Sequence, residues 1–364
     1  MPAPTPSPSP APESKGRGAA RSLRATYAGK LQLGCAVGGT LPHSLSLTEQ
    51  QLVREHFSVL TPENCMKPGP IHPEPERYDF AASDALVAFA EQNEQSVVGH
   101  CLSWHQQCPA WFFEPGLTRR MALDRLQAHI HTVVGRYRGR IQGWDVVNEA
   151  IADAGDFLRE TPALAAIGED YIAKAFEFAR EADPDAELYY NDYNIEQPAK
   201  RERTLRLLEQ LKARGVDLSG VGIQGHWLLD QVPFDDIAAA VESYRALNLK
   251  VMITELDIDV VDRPDCGADV SVHRAYAPTE DVYQDGCPEP VLLRQAEQYA
   301  RLFETLTAIP GAVTRVTFWG LHDGKTWLNT WPGKRTNHPL LFDRDCRPKP
   351  ALEAVLDVAR RAKA

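Results

Sequence analysis

Two segments of the chain carry carboxylates in a setting that chemistry can use. One reads Trp144-Asp145-Val146-Val147-Asn148-Glu149-Ala150, the other Ile253-Thr254-Glu255-Leu256-Asp257-Ile258. In each, a glutamate follows a short apolar run of the kind that forms a strand buried on both faces. Glu149 and Glu255 therefore belong at the ends of two strands. If those ends share one cleft, one carboxyl can protonate a leaving oxygen while the other attacks or positions water, which is what cutting a glycosidic bond requires. A single strand-end glutamate is more often a surface ion-pair partner. Two of them, with polar and aromatic neighbours at the other strand ends, point to catalysis. His100 and His105, with His226 from elsewhere, raise a metal site as the alternative. The carboxylate pair leaves a metal no task, so neither a metal nor any other cofactor is expected.

The elements that must hold these residues follow from the hydrophobic pattern. Short apolar runs mark strands at 31–37, 58–60, 96–100, 141–147, 187–191, 220–224, 250–256 and 316–319. Amphipathic stretches between and after them mark helices at 48–56, 83–92, 119–136, 169–181, 198–214, 234–247, 290–307 and 350–361. Eight strands each followed by a helix specify a single (β/α)8 TIM barrel with extended βα loops. A doubly wound open sheet competes, but it usually carries a GxGxxG turn after its first strand. Here Gly34-Cys35-Ala36-Val37-Gly38-Gly39 does not match that pattern. In barrels the active site lies at the C-terminal strand ends. Both glutamates fall there.

Composition bounds the partner. The chain has 364 residues, 43% hydrophobic and 24% charged, with a formal net charge of −11. That is too apolar for disorder and too acidic for a nucleic-acid binder. No stretch approaches the roughly 20 apolar residues of a membrane span, so no membrane is expected as partner. Residues 1–14 alternate Pro with Ala, Ser and Thr, an extended linker composition, and 1–26 are read as a Pro-rich tail before a barrel over 27–364. The tail lacks the basic and apolar regions of a signal peptide. As a tether between modules, it still points to a secreted or periplasmic enzyme. Of the seven cysteines, Cys266 and Cys287 share an irregular loop, where a bridge would contribute ~3 kcal/mol; its formation is left open.

The motifs taken together are similar to those of glycoside hydrolase family 10, the endo-β-1,4-xylanases. Besides the two catalytic segments, the family's order is followed by Glu63-Asn64-Cys65-Met66-Lys67, His100 to Gln107, Tyr190 to Asn194, Gly222 to His226, Trp319 to Asp323 with Trp327, and Pro339 to Asp343. The resemblance implies retaining hydrolysis of internal bonds in xylan and xylo-oligosaccharides by a monomer, with Glu255 as nucleophile and Glu149 as general acid/base. It implies sugar-binding roles for Glu63, Asn64, Lys67, His100, Trp104, Gln107, Asn148, Tyr193, Gln224, His226, Trp319 and Trp327. His226 would hydrogen-bond Glu255, with Asp257 orienting that ring. A β-1,4-glucanase or mannanase on a related barrel is the enzyme alternative, and a non-catalytic sugar-binding barrel the alternative from another class. Departures fall at Pro68, Cys101, Ser103 and Gln106-Gln107-Cys108, which puts the outer glycone sites in doubt. The loop from 261 to 290 is expected to shape the aglycone side, and 329–337 to extend over the cleft.

Overall fold

A computed structural model describes residues 22–155, 157–263 and 267–361. Its strands are β1 Gln32–Val37, β2 Val59–Pro62, β3 Ser96–Ser103, β4 Gly143–Asn148, β5 Glu187–Asp192, β6 Gly220–Ile223, β7 His226–Leu228, β8 Lys250–Asp259 and β9 Val313–Phe318. All pairings between them are parallel. β1 joins β2 on one side and β9 on the other, and β6 pairs directly with β8, which closes eight strands into a barrel. β7 is a three-residue addition along the far end of β8, with His226 opposite Asp257. The expected seventh barrel strand is thus β8.

The helices are α1 Leu23–Thr26, α2 Leu47–His56, α3 Pro68–Ile71, α4 Ala81–Gln92, α5 Arg119–Arg136, α6 Pro162–Ile167, α7 Tyr171–Ala182, α8 Pro198–Ala213, α9 Phe234–Ala246, α10 Glu289–Thr307 and α11 Pro350–Arg361. The long ones fall where the apolar periodicity places them. Local chemistry fixes their ends. At α2, the Glu49 N–H donates to Ser46 Oγ (3.2 Å) and the Ser46 N–H to Glu49 Oε2 (2.6 Å), a reciprocal cap.

The packed body begins before Tyr27, which corrects the boundary read from the sequence. Ser22 caps α1, Leu23 is fully buried, and the Tyr27 hydroxyl donates to the Val355 carbonyl at 2.7 Å. That bond ties the start of the barrel to α11, so the body includes Ser22. The expected tail over 1–21 lies outside the described residues, as does Cys266, one end of the bridge left open by the sequence.

Inside the barrel, Val59, Val98, Tyr189 and Met252 form an apolar layer, and the buried Arg315 guanidinium lies 5.0 Å from the Tyr189 ring centroid. The interior is a packed core and not a pore. Toward the C-terminal end the ladders slip. Register breaks fall between His100 and Ser103, between Asp145 and Val147, and between Ile253 and Leu256. Such irregularities turn side chains away from strict alternation. Here they flank Trp104, Glu149 and Glu255.

Candidate active site

β4 delivers Asn148 and, one residue beyond its end, Glu149. Glu149 adopts φ +58°, a left-handed backbone that costs a non-glycine residue roughly 1–3 kcal/mol and recurs at functional sites. Its N–H is held by the Asn191 carbonyl at 2.9 Å. The carboxylate accepts from Trp104 Nε1 at 2.8 Å on one oxygen. On the other it accepts from Gln224 Nε2 at 3.0 Å and Asn148 Nδ2 at 3.4 Å.

β8 delivers Glu255. One oxygen accepts from Asn191 Nδ2 at 2.7 Å, and the other faces His226 Nε2 at 3.2 Å. Asn191 Nδ2 also donates to Asn148 Oδ1 (2.9 Å), and the Thr254 hydroxyl donates to Asn191 Oδ1 (2.5 Å). Side-chain amides from three strand ends therefore link the two carboxylates in one buried network. Room for it depends on Gly222 of β6, where a Cβ would run into Asn191 Oδ1 and the Thr254 methyl. A larger residue there would push Asn191 off both glutamate partners.

The two glutamates differ electrostatically. Burial, reinforced by the Asp192 carboxylate, pushes Glu149 up to about 7 despite the bonds from Gln224 and Trp104. Burial acts on Glu255 in the same sense, but the His226 hydrogen bond, the His100 and His226 imidazoles and the Asn191 amide outweigh it and hold its pKa below the usual carboxylate range. His226 lies between Glu255 and Asp257, whose Oδ2 is 3.0 Å from its Nδ1. Burial alone would lower its pKa; the two carboxylates overcome that and raise it to about 9. Below about pH 7 the site thus pairs one protonated glutamate with one ionised one. Pairs of titratable groups whose surroundings push their pKa values apart are the mark of an acid and a base with separate tasks.

Thirteen of the fourteen residues named from the sequence line one cleft around these carboxylates. Lys67 Nζ donates to Asn64 Oδ1 at 3.0 Å and lies 4.9 Å from the Trp104 ring centroid. His100 Nδ1 is 2.9 Å from Asp145 Oδ2, which fixes the ring from below the cleft floor. Gln107 is held by its own backbone, the Gly69 N–H donating to its carbonyl at 2.7 Å. Thus the unusual Pro68 segment and the unusual Gln-Gln-Cys segment support each other. Beyond Glu63 the cleft continues into a cavity of about 400 Å³ that shares Glu63 and Trp327 with it.

Tyr193 is the exception. Its side chain is buried, its hydroxyl engages Asp153 Oδ2 (2.5 Å) and receives Arg159 Nη2 (2.8 Å), and Lys200 Nζ covers its ring at 3.8 Å from the centroid. Gly267, at φ +58°, lies so close that a Cβ would come within 2.7 Å of the ring. Cations and the long loop have taken the surface that a sugar ring would need. That loop also supplies Ala268 and Val270 to the cleft wall. The 329–337 segment is a buttress and not an overhang. Trp331 stacks on Trp327 at 4.5 Å, and Arg335 is buried against Asp259 and the Val261 and Leu328 carbonyls. Sequence reading assigned no role to Asn191, although it lies within the Tyr190-to-Asn194 motif; Ala268 and Val270 carried no signal at all. Among the described residues, no group of three or more His, Cys, Asp or Glu side chains is disposed to hold a metal ion.

Comparison with known proteins gives concordant matches. The profile of a family described as Glycosyl hydrolase family 10 matches residues 22–358. A β-1,4-xylanase of Dictyoglomus thermophilum is 42% identical over 332 residues, spanning 91% of this chain and 89% of that protein. An endo-1,4-β-xylanase A of Xylanibacter ruminicola is 40% identical over 311 residues, 84% of each chain. The solved structure of a GH10 endoxylanase from a sugarcane soil metagenome superposes with a TM-score of 0.88 at 38% identity, covering 93% of this chain and all of the other.

Proposed function

The chain belongs to glycosyl hydrolase family 10, and from that premise we propose how its two glutamates divide the work of cutting xylan. It is an endo-1,4-β-xylanase acting with retention of configuration. Glu255, ionised, attacks the anomeric carbon, while Glu149 gives its proton to the departing glycosidic oxygen. The product of this step is a glycosyl ester on Glu255 and a shortened chain that leaves. Esterification removes the Glu255 charge, so Glu149, now ionised, accepts a proton from water as the water attacks the anomeric carbon and the bond from that carbon to Glu255 breaks, releasing the carboxylate. The hydrolysed sugar departs and both carboxyls return to their starting states.

The remaining lining residues hold the glycone. Asn148, already bound to Asn191, offers its amide to a ring hydroxyl next to the reacting carbon, where a bond that tightens in the transition state raises the rate. Lys67, Asn64, Glu63, His100 and Gln107 supply donors and acceptors further along. Trp104, Trp319 and Trp327 supply flat apolar faces for sugar C–H surfaces.

The observation that supports this division best is the opposite bias of two buried glutamates joined through one amide network. The test is leaving-group dependence. Glu149→Ala should lose far more activity on xylan, whose leaving group needs a proton, than on an aryl xylobioside with an activated phenol. Equal losses on the two would refute the assignment of Glu149 as proton donor.

A further inference from the structure

Beside the catalytic cleft lies a second, largely apolar cavity. It has a volume of about 550 Å³ and opens between the segment following β3 and helix α6. That size falls within the roughly 300–1,000 Å³ of small-molecule sites. Trp104 and Asn148 line both this cavity and the catalytic cleft. Its other walls include Phe113, Leu117, Ala163, Ala166 and Tyr171. The small side chains of α6 leave open a space that larger ones would fill.

The lining also says what chemistry fits. Among the described residues, no lysine or arginine contributes to it, and the one carboxylate, Glu114, is engaged by Arg125 at 2.9 Å. An anion would find no countercharge there. His105 is the one imidazole among those walls. Burial pushes its pKa down to about 4, so at neutral pH the ring is uncharged and can exchange one donor and one acceptor. Its Nδ1 has no partner among the described residues. Aromatic and aliphatic walls with a few polar groups form the usual build of a site for a flat neutral ligand.

We propose that this cavity is a second binding site, taking a neutral phenolic ester whose ring packs against Phe113, Leu117 and Tyr171 and whose hydroxyl meets His105. Such a group can arrive as a free small molecule or as an ester carried on the sugar chain in the neighbouring cleft. In both cases its presence bears on Trp104, which donates to Glu149, so the site borders the acid/base directly. The binding claim stands apart from the xylanase reading; the substrate-borne form rests on it.

Calorimetric titration of the whole protein with methyl ferulate tests the binding. Saturable binding with Kd below roughly 1 mM is expected, with ferulate itself, an anion at neutral pH, binding more weakly. Ala166→Trp, which fills the cavity, and Leu117→Asp, which makes it polar, should each weaken binding about tenfold or more. Both should keep kcat/KM on undecorated xylan, which also shows that they fold. No saturable binding, or the same Kd in both variants as in the parent, overturns the proposal. Xylo-oligosaccharides carrying the same ester separate the sources. If the ester arrives on the chain, the decorated-to-undecorated ratio of kcat/KM falls several-fold in Ala166→Trp. An unchanged ratio alongside lost methyl ferulate binding assigns the site to the free ligand.

Discussion

Replacing Glu149 by Gln should become increasingly favourable to the stability of this protein as pH rises from about 4.5 to 7, and stay so above. In the fold the Glu149 carboxyl is pushed from 4.5 to about 7, first by burial and then by Asp192. At about 1.4 kcal/mol for each pKa unit, ionising it inside the fold costs ~3 kcal/mol more than ionising it in the unfolded chain. Its folded pKa is the higher one, so the unfolded chain releases the proton first as pH rises. The folded form is therefore penalised progressively between about pH 4.5 and 7, and the full penalty remains above that window. A glutamine has no such proton to lose, so the Glu149→Gln variant escapes the penalty. Trp104 donates to one oxygen of Glu149, and Gln224 and Asn148 to the other, so a neutral side chain meets a donor it cannot satisfy. That mismatch is shared by protonated Glu149 and by Gln, so it cancels when two pH values are compared. Urea unfolding of parent and Glu149→Gln at about pH 4 and about pH 8 should give a stability difference ~3 kcal/mol more favourable to the variant at the higher pH. The same difference at both pH values would refute the claim that this glutamate is held protonated by its surroundings.

Other consequences follow from the neighbouring charges. His226→Ala removes the cation beside Glu255 while leaving Asp257 in place, so the pKa of Glu255 rises. Because Glu255 must be ionised to attack, the acid limb of kcat/KM against pH should move upward by about 1–3 units. Arg335→Met strips Asp259 of one of its two buried guanidinium partners. A loss of about 3 kcal/mol is expected in urea unfolding at neutral pH, the low end for a broken buried pair because Arg263 Nε remains at 3.1 Å. The loss should shrink in acid as Asp259, already raised by burial, takes up a proton.

Much of the fold was legible because parallel strands buried on both faces leave continuous apolar runs, and all eight barrel strands are of that kind. β7 was not, since three residues after Gly225 give no periodicity to read. The start of the body was misplaced at Tyr27 because α1 is a single turn whose stability comes from packing against the far end of the chain. In the site, residues on or beside strand ends were found from their motifs, and they do converge on one cleft. Tyr193 lies outside the cleft lining for a reason no local pattern carries. Lys200, from the following helix, and Gly267, from a loop more than seventy residues on, meet over its ring. Ala268 and Val270 escaped notice on the same ground, as small apolar residues in a loop acquire a role only from where the loop lands. Asn191 lay within a recognised motif, but its bridging position emerges only when β4, β5 and β8 are seen side by side.

The most direct test of the account is to trap the glycosyl ester. Incubating the enzyme with a 2-deoxy-2-fluoro xylobioside bearing an activated leaving group should slow the second step and leave a covalent sugar adduct. Peptide mapping by mass spectrometry should find that adduct on Glu255. An adduct on another residue, Glu149 included, would contradict the division of labour between the two glutamates.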